Sequence, residues 1–219
     1  MSKKVIVDLF YDVISPYSWA TFEALTRCNK KCDHMSLRLQ PVLLGALLKG
    51  VRSKPNGLKA KRIYMKTDLE SLGEYFNLPY NMPQAMDYVM FRKGSLSMQR
   101  LLIAVNKYSP KLLEEVSREM FLRIWSKDQD ATSVESLRVT LRNAGISERK
   151  SEFLLHATKE EDIKRILKNN TKLAIGQGVF GVPTYVAHFR TGPELFFGSD
   201  QLFLLAYYLN ITFPDYFLS

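Results

Sequence analysis

An α/β fold, with a βαβ unit and a closing ββα unit flanking a long helical block, is what this 219-residue sequence predicts. Three observations carry that expectation. The chain opens on an almost unbroken β-branched and aromatic run, its apolar period then turns helical, and strand character returns only after Gly181. Val5-Ile-Val-Asp-Leu-Phe-Tyr11 reads as a central strand covered on both faces, because it does not alternate polar with apolar. Ser15-Pro16 sets a helix start, with serine as N-cap and proline at the first helical position. Trp19, Phe22 and Leu25 then follow at helical spacing. Ser36 to Gln40 alternates and stops at Pro41, as a second strand would.

From 42 onward, i, i+3, i+4 apolar spacing recurs over 43–48, Tyr64 to Phe76, Met98 to Tyr108, Leu112 to Trp125, Val134 to Ala144 and Ile163 to Ile175. Stops such as Asn143-Ala-Gly145 and Tyr108-Ser-Pro110 separate these runs, and no strand falls among them. Pro183 to Phe189 and Glu194 to Phe197 flank the hairpin signal Arg190-Thr-Gly-Pro193. Gly198-Ser199-Asp200 offers polar caps for a last helix, Gln201 to Leu209. The order describes a thioredoxin-like fold. Residues 1–41 and 180–219 form its two halves, and 42–179 form an all-helical insertion.

Composition narrows the function. With 46% hydrophobic and 24% charged residues the chain is neither disordered nor collagen-like. No apolar run is long enough to span a bilayer. The two cysteines, Cys28 and Cys32, are spaced C-x3-C in a polar stretch, and three histidines add no familiar zinc set. Two reduced thiols near a helix end, an intracellular compartment and no metal are expected. The start Met1-Ser-Lys-Lys lacks both a signal-peptide core and transit-peptide character.

Ser15-Pro16-Tyr17-Ser18 carries the chemistry. It follows a buried strand at a helix N-terminus, where unpaired N–H groups and the helix dipole favour an anion. Thioredoxin-like proteins place C-x-x-C at this corner, and here both cysteine positions read as serine. Disulfide exchange is therefore excluded. A hydroxyl beside an anion site remains, suited to a thiolate supplied by another molecule. Gly181-Val182-Pro183 before the third strand matches the cis-proline that faces the corner in such folds, leaving the preceding residue to pair with an extended ligand. Ser199-Asp200 suits an α-amino acid end, carboxylate to amides and hydroxyl, ammonium to Asp200. Each motif alone also serves as a plain cap or strand start. Together, in this order, they point to one site.

These residues resemble the kappa class of glutathione transferases, in the DsbA-like branch of the thioredoxin superfamily. The resemblance covers nearly the whole chain. It is carried by Leu9 to Trp19, Lys54-Pro-Asn-Gly-Leu58, Tyr64-Met-Lys-Thr-Asp-Leu69, Lys93-Gly-Ser-Leu-Ser97, Arg123-Ile-Trp125, Gly178 to Thr184 and Phe196 to Asp200. It implies glutathione as co-substrate and a small electrophile such as an aryl halide, an enone or a peroxide. Ser15 would stabilise the glutathione thiolate, and Pro16 and Tyr17 would line the site. Val182, before cis-Pro183, would pair with the cysteinyl backbone, and Ser199 with Asp200 would hold the γ-glutamyl end. Lys61, Asp68 and Ser53 complete the implied contacts, Ser53 standing where the family usually carries asparagine. A homodimer and a mitochondrial address are implied as well, with peroxisome or cytoplasm as alternatives. A related activity is the glutathione-dependent isomerisation of 2-hydroxychromene-2-carboxylate. A non-catalytic glutathione- or peptide-binding module is a further alternative. No nucleic-acid motif accompanies the positive charge.

The net charge of +9 is local. Residues 1–40 and 181–219 hold 7 Lys+Arg and 7 Asp+Glu, whereas 41–180 hold 24 and 15, a difference of 9. Lys49, Arg52, Lys54, Lys59, Lys61, Arg62 and Lys66 form a run with no acid among them. That run suits a small ligand with two carboxylates. Neutralising Lys59, Lys61 and Arg62 together should raise the apparent KM for glutathione and flatten its salt dependence. Steady-state kinetics across ionic strength check this, and unchanged values would reduce the charge to surface background.

Overall fold

Strand β1 (Val5–Tyr11) is the centre of a four-stranded sheet ordered β2-β1-β3-β4. This computed structural model describes residues 4–53, 59–85 and 93–218, apart from the side chains of Lys59, Lys61 and Arg62. Strand β2 (Met35–Pro41) runs parallel to β1, from Val5 opposite Met35 to Tyr11 opposite Pro41. Strand β3 (Thr184–Phe189) is antiparallel to β1, and β4 (Gly192–Phe197) returns antiparallel to β3. The turn between β3 and β4 is only Arg190-Thr191, so β4 begins two residues earlier than its apolar run suggests. Gly192 there takes φ 131°, a conformation that needs glycine.

Helix α1 (Pro16–Lys31) crosses from β1 to β2. The helical block holds α2 (Leu44–Gly50), α3 (Lys59–Phe76), α4 (Leu96–Tyr108), α5 (Leu113–Trp125), α6 (Val134–Asn143), α7 (Glu148–Ala157) and α8 (Glu161–Gly176). Helices α9 (Leu202–Leu209) and α10 (Asp215–Leu218) close the chain. Helices α7 and α10 were not legible from periodicity. Helix α7 buries Ser151 on the same face as Leu154 and Leu155, so a polar residue interrupts its apolar stripe.

Both faces of β1 are covered, as its unbroken pattern requires. Val7, Leu9 and Tyr11 join a large core with Phe22 of α1 and Phe121 and Trp125 of α5. Phe10 points the other way and packs with Leu47 of α2, Ala174 of α8 and Val186 of β3. Cys28 and Cys32 are buried free thiols, and burial pushes the Cys28 thiol up to about 12. A thiol so protonated is unreactive. Among the described residues no helix is long and apolar enough to cross a membrane.

On the second face of β1, Asp8 is 3% exposed. It accepts hydrogen bonds from Arg38 Nε at 2.7 Å, His188 Nε2 at 2.7 Å and Gln40 Nε2 at 3.2 Å, tying three strands together. Burial pushes its carboxyl up, but the bonds from Arg38, His188 and Gln40 outweigh it and hold the group below its ordinary 3.8. A carboxyl depressed on folding stabilises fully above its ordinary value and loses that stabilisation as pH falls through the folded value. Asp8→Asn is expected to cost about 1–3 kcal/mol at neutral pH and to lessen the acid-side loss of stability. Urea unfolding at a series of pH values measures both.

Candidate functional site

The corner between β1 and α1 forms the floor of the site. After Tyr11 the chain turns through 12–14, closed by Ser15 N–H donating to the Asp12 carbonyl at 3.0 Å. Ser15 caps α1 with extended backbone (φ −94°, ψ 116°), and Pro16 occupies the first helical position. The Ser15 hydroxyl accepts from Ser18 N–H at 3.3 Å and donates to the Val182 carbonyl at 3.3 Å. Both bonds are long for their kind, so the hydroxyl proton is weakly held and free to turn to a better acceptor. Tyr80 anchors the same turn from below, donating its hydroxyl to the Pro16 carbonyl. Ser18, the second serine of the motif, is fully buried and outside the cavity. It contributes its backbone N–H and not its hydroxyl.

Facing the corner is the Val182-Pro183 bond, which is cis. Ladder pairing of β3 begins at Thr184, so Val182 lies just beyond it, beside Ser15. Gly198 N–H donates to the Pro183 carbonyl at 3.0 Å, and this bond brings Ser199 and Asp200 to the same mouth. Their local structure corrects the expected helix start. A single 3-10 turn, Ser199–Gln201, precedes α9, its N-cap is Gly198, and no side chain caps it. Ser199 is buried and Asp200 exposed, so a hydroxyl and a carboxylate remain, without the longer amide array of an α-helix.

A cavity of about 1100 Å³ opens over this floor. Ser15, Pro16, Tyr17, Ser53, Asp68, Val182, Pro183, Ser199 and Asp200 all line it. The side chain of Lys61 lies outside the described residues, as do those of Lys59 and Arg62 and the whole of Lys54. Tyr17 donates its hydroxyl to Asp68 Oδ2 at 2.8 Å, and Tyr64 reaches Asp68 Oδ1 at 3.3 Å. Burial, and then the Asp68 carboxylate, push the Tyr17 phenol well above its ordinary range, so it stays neutral and acts as a donor. Ser53 reaches the rim through the end of α2. Its N–H donates to the Leu48 carbonyl and that of Arg52 to Lys49, with Arg52 left-handed at φ 54°. This closing turn usually uses glycine, so an arginine hides it from sequence inspection.

Sequence reasoning missed the apolar side of the cavity. Leu43, Leu44 and Leu48 line it from α2 and its N-cap, Met65 and Leu72 from α3, and Leu96 from α4. The available signal was the doubled leucines. Leu47 is fully buried on one face of α2 while Leu48 faces the cavity, so two apolar faces on so short a helix need two partners. Polar groups on one side and this wall on the other fit a peptide-like ligand carrying an apolar appendage.

Comparison with known proteins decides the family. The DSBA-like thioredoxin domain matches residues 6–210. Glutathione S-transferase kappa 1 of Homo sapiens is 39% identical over 205 residues, covering 93% of this chain and 90% of that one. The chain belongs to the kappa-class glutathione transferase family. Glutathione S-transferase kappa 1 of Rattus norvegicus is 36% identical over 206 residues, covering 94% of this chain and 91% of that one. A solved 2-hydroxychromene-2-carboxylate isomerase shares the fold, with a TM-score of 0.76 at 22% identity over 94% of each chain. For this kappa-class chain Gly198 is a sensitive position, because at φ 90° a Cβ would run into the Asp200 carboxylate. Gly198→Ala should weaken glutathione binding about fivefold by calorimetry. Gly192→Ala, also at positive φ but open around its Cβ and outside the cavity lining, should lower only the melting temperature.

Proposed function

We propose that this protein is a glutathione transferase of the kappa class that forms the glutathione thiolate at Ser15 and directs it at small soft electrophiles. The observation that carries the reading is the Ser15 hydroxyl, weakly bonded, at a helix N-terminus and beside cis-Pro183, on the floor of a large cavity. In this reading glutathione lies extended, its cysteinyl backbone against Val182 and its γ-glutamyl end at Ser199 and Asp200. Its sulfur stands over the first turn of α1. The Ser15 hydroxyl turns from the Val182 carbonyl to the sulfur and exchanges a long neutral hydrogen bond for a charge-assisted one.

Magnitudes support this. A free thiol near ~8.5 is only a few per cent ionised at neutral pH, and lowering it by ~2 units takes ~2.7 kcal/mol of preferential thiolate stabilisation. A charge-assisted hydrogen bond supplies roughly 1.5–3 kcal/mol. The helix N-terminus adds roughly 0.3–1 kcal/mol. The thiol proton leaves to solvent. With an aryl halide the thiolate then forms the carbon–sulfur bond as halide departs, and no general base is required. The wall of Leu43, Leu44 and Leu48 takes the electrophile's apolar body. A homodimer and a mitochondrial address belong to the same proposal. Sedimentation and imaging of the tagged full chain test them.

A glutathione-dependent isomerase would use the same corner but return glutathione after each turnover. Stoichiometric consumption of glutathione with chlorodinitrobenzene distinguishes the transferase. Mixing the protein with glutathione should raise ultraviolet thiolate absorbance at neutral pH. Ser15→Ala should abolish most of that rise and slow conjugation about 10- to 100-fold while glutathione still binds. Should Ser15→Ala titrate like wild type, Ser15 is only a helix cap.

A further inference from the structure

Asp12 is fully buried, three residues before Ser15, with no cationic partner among the described residues. Burial of an unpaired carboxylate is costly, so its place in the fold needs a local reason. Its hydrogen bonds supply one. Oδ1 accepts from Ile14 N–H at 3.1 Å, and Oδ2 accepts from Leu44 N–H at 2.9 Å and from the Ser95 hydroxyl at 2.6 Å. Each donor belongs to a different side of the cavity. Ile14 leads into the glutathione corner, Leu44 opens α2, and Ser95 precedes Leu96 at the start of α4.

The caps of those two helices agree with this division of labour. Ser95 is the N-cap of α4 yet makes no capping bond, because its hydroxyl is given to Asp12. Leu43, the N-cap of α2, has no side-chain acceptor, and the Asp12 carboxylate takes the Leu44 N–H in its place. We propose that Asp12 is a positioning residue that holds the apolar wall of α2 and α4 against the glutathione corner. It thereby sets how tightly an apolar group on the sulfur is gripped. The proposal rests on the glutathione reading above and adds a residue that no ligand contact would reveal.

The same geometry is sensitive to pH. Burial pushes the Asp12 carboxyl up to about 6, although the Ser95 hydroxyl and the Leu44 and Ile14 amides favour its anion. Among the described residues no neighbouring charge counters this. Tyr11 of β1 is kept neutral chiefly by its own burial, Lys93 ahead of α4 pairs with Asp130, and Lys49 on α2 is exposed. A proton on Asp12 turns an accepting oxygen into a donor facing Leu44 N–H or the Ser95 hydroxyl. The wall loosens as pH falls through that value.

Calorimetry on the full chain with glutathione and with S-hexylglutathione, above and below the Asp12 value of about 6, tests the proposal. Wild type should bind S-hexylglutathione more tightly than glutathione, with an advantage that shrinks on the acid side. Asp12→Asn keeps the Ile14 acceptor but presents an NH2 to Leu44. It should cut the advantage about tenfold, hold glutathione affinity within about twofold and remove the pH dependence. Ser95→Ala deletes one donor and should shift the advantage in the same direction by less, which keeps the test open if Asp12→Asn does not fold. An advantage unchanged in both variants, or a parallel loss for both ligands, would overturn the proposal and leave Asp12 as a fold residue. If wild type binds neither ligand, the glutathione reading itself falls, and this inference with it.

Discussion

The carboxyl end of β1 must stop its ladder in the middle of the protein. Buried backbone carbonyls left there need partners from elsewhere, or the corner that follows has no defined shape. The helical block supplies them. Gln99 of α4 donates to the carbonyls of Tyr11 and Val42 at 3.0 and 2.6 Å, joining the ends of β1 and β2. Trp125 of α5 donates to the Val13 carbonyl at 2.9 Å. Tyr11 adds a bond to Ser117 at 2.7 Å. These contacts make the sheet and the helices one rigid support, and the orientation of Ser15 depends on it.

Such a support bears on the proposed chemistry, in which a site of weak individual bonds would act on a thiol. The Ser15 hydroxyl holds its partners at 3.3 Å and would give up little on turning to a sulfur. The amides around it are fixed by α1 and by the turn from Asp12, so the proposed thiolate formation would need little reorganisation. The polar and apolar sides of the cavity come from different parts of the chain. Val182, Ser199 and Asp200 follow the helical block in sequence, whereas Leu43, Leu48 and Leu96 belong to it. A site assembled across that boundary depends on the buried bonds that span it.

Local period and turn chemistry made most elements legible. The β1 run, the Ser15-Pro16 helix start and the β3–β4 hairpin lie where short-range patterns put them, because each is set by neighbours along the chain. Helix α7 escaped because Ser151 occupies a core position. The closing turn at Arg52 escaped because an arginine takes the left-handed conformation usually given to glycine. Ser199 and Asp200 reach the site, but on a 3-10 turn, since the strand before them enters through Gly198 at φ 90°. Capping position already singled out Ser15 over Ser18, and the fold adds that one faces the cavity while the other is sealed beneath it.

By itself the sequence determined the order of the strands and most helices, the absence of both cysteines at the corner and the hydroxyl that stands in place of the first. Those properties follow from residue type and short-range spacing. The tertiary structure alone decided which bonds that hydroxyl and its corner make. Ser15 and Val182 lie 167 positions apart, and Asp12 reaches 83 positions to Ser95. Contacts over such separations depend on how the sheet and helices pack. No local pattern of the chain encodes them.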